Sequence, residues 1–333
     1  MTYDDDVREV ALRPGLVWGF DFADGRALPV NDADLLRPDL AQQGFRWLHF
    51  NLADQRTLRW LASAQPVSPA ATDLLLSTDT VQHGVAIGGV LALVLHDLEM
   101  DFVESEHRIG VLRIAVGPTM IVTARLHPVR CAEAVKQRID AGAPVAGPAD
   151  ALELIFTAML EGHRKLNAEL DAQVQAIEDE LLRDRPSTDP RTFTTLRSLM
   201  VRLHRLFAGV RSVFRNLDED SDAPKALREL GTRFVTRLSA IDGELLALQG
   251  QLRLLRDELD LQATQQTNEN IYFLSILSAL LLPATLVTGI FGMNTGGLLW
   301  TNHPWGSVLA TGLALVSAGG VYLILRLSGF IRR

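Results

Sequence analysis

Residues 271–291 read IYFLSILSALLLPATLVTGIF, and from Ile271 to Leu325 the chain runs for 55 residues without one Asp, Glu, Lys or Arg. That is too long for one membrane span and suits two joined by a short turn. At the helical rise, the 21 residues of the first segment reach about 31 Å, close to the thickness of a bilayer's hydrocarbon layer. The second segment, 307–327, has the same length and ends against Arg326, Arg332 and Arg333. The connection, 292–306, is rich in Gly, contains Pro304, and carries Trp300 and Trp305, which suit a membrane–water interface. A buried helical hairpin of a soluble protein would accommodate Pro283 and the many glycines poorly.

Charge sets the orientation. The 333 residues hold 32 basic and 40 acidic side chains, a net charge of −8. Residues 1–150 contribute −7, residues 151–270 contribute −4, and residues 271–333 contribute +3. The loop between the spans has no Lys or Arg, whereas Arg253 and Arg256 precede the first span and three Arg follow the second. The positive-inside rule therefore predicts both termini in the cytoplasm, a multi-pass protein of the cell inner membrane, and a basic cytoplasmic tail at 328–333. The N-terminus, MTYDDDVREV, lacks an apolar stretch and does not read as a signal peptide. An acidic soluble portion repels phosphate, which argues against nucleic acid as a partner. The single cysteine, Cys131, excludes an intramolecular disulfide and any multi-cysteine metal site.

Residues 1–148 read as a cytoplasmic α+β domain. Strands are expected at 16–22, 45–52, 81–98, 108–116 and 119–126, with short helices at 54–64, 68–76 and 128–141. A Gly/Ala/Pro-rich linker, 142–149, closes it. Residues 149–270 read as a cytoplasmic helical stalk region. One helix is expected from about 150 to 184, and another opens with Asp189 as N-cap and Pro190 at the first helical position. After the acidic run 218–222, the apolar residues Leu227, Leu230, Phe234, Leu238, Ile241, Leu245, Leu248, Leu252, Leu255 and Leu259 recur at steps of three and four. Such near-heptad spacing marks a helix packed lengthwise on other helices. No strong breaker intervenes before Pro283, so one helix is expected from about 224 through the membrane to 291, about 100 Å long.

Gly292-Met293-Asn294 follows the first span at once. Here the sequence resembles the CorA family of divalent-cation channels, whose signature is Gly-Met-Asn at the outer end of the penultimate span. The resemblance extends to Pro283, Thr285 and Gly289 in the span and to Asn268 and Asp257 on the stalk. WLHFNLAD (47–54), LRIAVGPTMIVTARLHPVR (112–130) and the Gly296-Gly297 pair are similar to the ZntB-type zinc-transport branch. The magnesium branch usually places an acidic residue just after the motif, and none stands here. The resemblance implies a homopentameric funnel with first spans lining one pore, second spans outside, and divalent cations, zinc first, as cargo. No cofactor is implied. The zinc branch implies coupling to the proton gradient, yet neither span contains an acid to carry a proton.

The residues point the same way. Asn268, Ser275, Ser278, Leu282, Thr285 and Gly289 recur by 7, 3, 4, 3 and 4, one narrow stripe of amide, hydroxyl and small groups. In a fivefold ring Leu282, with Leu274 nearby, would form apolar constrictions that gate by dewetting. Gly312, Ala314, Ala318, Gly319 and Gly320 offer the second span a surface for close packing. Five Asn294 carbonyl oxygens could hold the outer water shell of a dication, although Gly-Met-Asn can also be read as a helix C-cap. With no Cys or His in the stripe, a hydrated ion and weak discrimination among dications are expected. His303 is the only imidazole in the outer loop and hence a candidate metal ligand. Asp257 is a candidate cation or gating site on the stalk, or an ordinary exposed acid beside Arg253 and Arg256. An acidic charge of −11 per soluble portion would concentrate cations.

Other candidates are weaker. Residues 96–107, HDLEMDFVESEH, read as a solvated turn between strands or a cation site. His83, His127, His163 and His204 stand apart in sequence, and Cys131 reads as a small core residue. No phosphate loop, dinucleotide fingerprint or catalytic triad pattern occurs, so an enzyme is not expected. The near alternative is a magnesium, cobalt or nickel channel of the same architecture. The alternative of another class is a membrane-tethered signalling or scaffold protein, which needs neither a polar stripe nor a second span.

Overall fold

The computed structural model describes residues 15–23, 26–30, 35, 44–100, 108–183, 189–220, 222–293 and 304–330. The chain divides into two compact units, 1–255 and 256–333. In the first, β1 (Leu16–Ala23), β2 (Arg26–Pro29), β3 (Phe45–Asn51), β4 (His83–Ile87), β5 (Val90–Leu98), β6 (Ile109–Val116) and β7 (Met120–Arg125) form one sheet in the order β2-β1-β3-β7-β6-β5-β4. β3 and β7 pair in parallel and every other neighbouring pair is antiparallel. The long apolar run 81–98 folds as the hairpin β4–β5 because Gly88 and Gly89, with φ of +58° and +80°, turn it over. The strand β2, RALP, is four residues long and too short to give a periodic signal.

Helix α1 (Gln55–Ala64) starts where Asp54 accepts from the Arg56 amide, and α2 (Pro69–Leu76) where Ser68 accepts from the Ala71 amide. Both cover one face of the sheet. Leu61, Ala71, Leu74 and Leu75 bury themselves against Leu48, Phe50, Ala92, Val94, Ala115, Val122 and Ala124. The opposite face, reached by the alternate residues of each strand, receives helices from further along the chain. These are α3 (Arg130–Asp140), α4 (Pro148–Leu182) and α5 (Pro190–Glu219). At Gly84 a Cβ would lie 2.8–3.0 Å from Leu93, Val213 and Leu217, so the absent side chain is what lets α5 approach β4.

Helix α6 runs unbroken from Lys225 to Gly292, 68 residues. Its apolar stripe is buried from Leu230 through Phe234, Leu238, Ile241, Leu245, Leu248 and Leu252 to Leu255. Phe156 of α4, Phe214 of α5 and Phe234 of α6 meet as an aromatic cluster with ring centroids 4.3–5.5 Å apart. Gly231 makes this possible, since a Cβ there would stand 2.4 Å from the Phe214 ring.

The second unit comprises the rest of α6 and α7 (Gly306–Leu327). Both helices are long and apolar enough to cross a membrane. Pro283 lies inside α6 and supplies no N–H, so the Ala279 carbonyl loses its helical donor without ending the helix. Of the small residues on the second span, Ala314 is buried and Ala318 half-buried, whereas Gly312, Gly319 and Gly320 are exposed and open on to empty space. Within one chain, then, the alanines supply the packing surface and the glycines leave room.

Candidate functional site: the exposed stripe of the first span

Two faces of the α6 span differ. Ile276, Ala279, Leu280, Pro283, Ala284 and Val287 are partly covered, and Ala314 of α7 is buried. Asn268, Leu274, Ser275, Ser278, Leu282, Thr285 and Gly289 are all exposed, Leu274 to 61% and Leu282 to 69%. The polar stripe therefore lies on residues the chain does not cover itself. The Ser275 hydroxyl donates to the Ile271 carbonyl at 2.8 Å, and the Thr285 hydroxyl to the Leu281 carbonyl at 2.8 Å. With their hydrogens committed to backbone, these oxygens present lone pairs outward. Such acceptors match the hydrogens of water around a cation.

At the end of α6, the Met293 amide donates to the Ile290 carbonyl at 3.3 Å, Gly292 has nothing within reach of a Cβ, and Met293 is 52% exposed. Asn294 and His303 lie outside the described residues. At the other end of the span, the Tyr272 hydroxyl donates to the Phe330 carbonyl, and the two rings stack with centroids 6.0 Å apart. Asp257 is exposed on α6 and makes no ion pair among the described residues. Arg256 approaches Asp260 instead, at 3.9 Å.

His163 and His204 find partners that sequence spacing did not reveal. His204 Nδ1 lies 2.8 Å from Asp242, whose other oxygen accepts from Arg211 at 2.5 Å. Asp242 is buried, so the two donors compensate its desolvation. His163 is buried, bonds the Met159 carbonyl through Nδ1, and leaves Nε2 without a partner among the described residues; burial holds its pKa below the usual histidine range. Cys131 is a buried core residue, as its small size suggested, and burial raises its thiol pKa. Its amide donates to Asp97 at 2.9 Å. That bond corrects the reading of 96–107 as a solvated turn at its start. His96 and Asp97 belong to β5, and Asp97 is 1% exposed. Residues 101–107 lie outside the described residues. No group of three or more His, Cys, Asp or Glu among the described residues is placed to hold a metal ion.

Comparison with known proteins fits this arrangement. A family model described as CorA-like Mg2+ transporter protein matches residues 42–327. The divalent cation transporter CmaX of Pseudomonas aeruginosa is 25% identical over 313 residues, covering 89% of this chain and 91% of that protein. The zinc transport protein ZntB of Pectobacterium carotovorum subsp. carotovorum is 21% identical over 307 residues, 89% of this chain and 90% of that protein. Among solved structures, the full-length CmaX protein superposes with a TM-score of 0.78 at 22% identity, covering 94% of this chain and 98% of that one. The CorA magnesium transporter from Methanocaldococcus jannaschii gives 0.76 at 17% identity, with the same coverage. With most of its length matched by the family model, and an α+β domain, long helix and apolar terminal helix in the same order, the chain belongs to the CorA-like Mg2+ transporter protein family.

Proposed function

We propose that this protein is a homopentamer of the inner membrane that carries divalent cations, zinc first among them, as hydrated ions along a pore lined by five copies of the α6 span. Family membership makes it a membrane transporter of divalent cations. The observation that carries the finer reading is the exposed stripe of Asn268, Ser275, Ser278, Leu282, Thr285 and Gly289 on a helix whose partly covered residues, Ile276, Ala279, Leu280, Pro283, Ala284 and Val287, lie elsewhere. An uncovered row of hydroxyl and amide groups is costly in lipid, and sharing a water column with other copies satisfies it. Gly292, Met293 and Asn294 form the selectivity motif at the outer end. Asn294 offers neutral oxygens to the ion's water shell, and His303 stands nearest the mouth in sequence. Both termini face the cytoplasm, where Asp257 serves as a stalk cation site.

Zinc is favoured by the Gly296-Gly297 pair, by the absence of a loop carboxylate and by the zinc transport relatives. Magnesium, cobalt or nickel is the second reading, favoured by the family description and by the fold shared with a magnesium transporter. Proteoliposomes loaded with a metal-sensitive dye, and offered each dication with and without a pH gradient, distinguish these. Asn294→Ala is expected to abolish flux while the protein still elutes as a pentamer. Undiminished flux through correctly assembled Asn294→Ala would reject the motif's role.

A further inference from the structure

In the helical bundle of the first unit, charge is sorted by helix. From Pro190 to Leu217, α5 carries six Arg and no acid, within a soluble portion that is acidic overall. Arg211 is the only one of the six with an ion pair among the described residues, to buried Asp242. Arg191, Arg197, Arg202, Arg205 and Arg215 are all exposed. On α4, the stretch 166–182 holds five acids and no base. Glu169 is exposed there and makes no ion pair among the described residues. Asp179 is exposed too, paired only to Arg183 one turn along the same helix, at 3.2 Å. Among the described residues no ion pair joins α4 to α5, so the two faces do not neutralise each other within the chain.

Contacts with α6 fix the height of each residue in this bundle. Helix α4 runs parallel to α6: Phe156 stacks on Phe234, Asn167 donates to Glu244 at 3.2 Å, and Glu178 accepts from Gln251 at 2.8 Å. Helix α5 runs antiparallel: Phe214 meets Phe234, and Asp242 lies between His204 and Arg211. At the helical rise, Glu169 and Arg202 stand about 6 and 8 Å past Asp242 in the direction of Leu255. Asp179 and Arg197 stand about 15 and 16 Å past it. Two acids and two Arg thus share their heights pairwise. In the other direction the match ends, because Arg164 and Lys165 interrupt the acids of α4.

We infer that the Arg face of α5 docks on the acidic face of α4 in a neighbouring copy, Arg202 opposite Glu169 and Arg197 opposite Asp179. The inference rests on the pentameric reading given above and names soluble surfaces that join its copies. A closed ring needs a heterologous contact, made by two different patches that complement each other. Copies related by rotation about an axis along α6 meet at equal heights, which is where these charges match. The planar guanidinium suits a carboxylate in two parallel bonds. Each exposed pair is weak alone and screened by salt, so the row sets the register of the copies more than their affinity.

Two measurements on the full chain test this. Chains with Arg202→Cys and chains with Glu169→Cys, differently tagged and co-expressed, should be joined in membranes by a short bis-maleimide into products carrying both tags. Either variant expressed alone should stay unlinked, since the native Cys131 is buried. In detergent at low salt, Arg197→Glu with Arg202→Glu should lower the pentamer fraction at least threefold, and adding Glu169→Arg with Asp179→Arg should restore it. An assembled pentamer that gives no product with both tags, or that links through Arg202→Cys alone, would overturn the contact. So would a pentamer indifferent to the charge reversal, or a swap that restores nothing. If no product with both tags forms and Arg202→Cys is shielded from a soluble maleimide in phosphatidylglycerol but not phosphatidylcholine vesicles, the face belongs to lipid headgroups instead. A wild type that does not elute as a pentamer would remove the pore reading, and this contact with it.

Discussion

Buried in the sheet, His49 stacks on Trp18 with centroids 4.8 Å apart and meets Thr123 Oγ1 through Nδ1 at 2.9 Å, while Nε2 has no partner among the described residues. Burial, aided by the Arg125 charge, lowers its pKa from 6.5 to about 3. A base whose pKa falls on folding binds fewer protons in the native state. Its contribution is therefore fully present above pH 6.5 and is lost as pH falls through the window toward 3. The slope is about 1.4 kcal/mol per pH unit in that window, and His163, shifted down by burial as well, acts in the same direction. Thermal melting of the full chain in detergent should show a loss of about 1 kcal/mol from His49 between pH 6.5 and 5.5, where the unfolded imidazole goes from half to nearly fully protonated. His49→Gln should flatten the profile; an unaltered slope would mean that His49 is not held neutral. None of this was legible in FRWLHFN, which reads as a strand. The groups that settle His49, like Asp21, whose carboxylate takes two bonds of 2.6 and 2.8 Å from buried Arg46, lie 25 to 76 residues away in sequence. Long-range polar pairing leaves no periodic trace.

At the scale of elements, what the sequence encoded locally was readable. Helix α6 was expected over 224–291 and spans Lys225–Gly292, because a repeat of three and four needs no knowledge of the partner. Asp189 announced its helix through capping chemistry. The parallel pairing of β3 with β7 was not readable, since two central strands with similar apolar runs can be ordered many ways. The stripe of the first span was legible by spacing, but its functional end was only partly placed, because Asn294 lies beyond the described residues. The stalk offers a sharper test. Asp257, read from the sequence as a stalk cation site or an ordinary exposed acid, is exposed on α6, and Arg256 lies 3.9 Å from Asp260. If five copies bring their Asp257 carboxylates together, mutual repulsion favours a bound dication, and binding to the folded assembly raises its stability. At a hundredfold excess over Kd that linkage is worth about 2.7 kcal/mol. Zinc should therefore raise the melting temperature of the wild type by several degrees, chelation should reverse the rise, and Asp257→Asn should show a smaller one. Equal shifts in mutant and wild type would assign the stabilising metal to another site.

For the whole molecule, selectivity follows from what the path can offer an ion. Discriminating strongly for zinc requires stripping its water and replacing it with imidazole or thiolate, whose affinities follow metal softness. On the proposed pore reading, the stripe from Asn268 to Gly289 supplies amide, hydroxyl, Gly and Leu groups, and the hydroxyls of Ser275 and Thr285 have already spent their hydrogens on backbone carbonyls. What remains are acceptors for the hydrogens of inner-shell water, which leave that water in place. Hydrated dications of similar size then differ little along the pore. Cadmium, cobalt and nickel should pass within about tenfold of zinc, a barrier difference of only ~1.4 kcal/mol. Cobalt(III) hexammine, whose ammine hydrogens imitate inner-shell water but which cannot shed its ligands, should compete with transported ions or block them. Competition flux in proteoliposomes measures both. A thousandfold preference for zinc would require about 4 kcal/mol that these groups do not provide, and would point to a dehydrating ligand at the outer mouth, with His303 the first residue to replace.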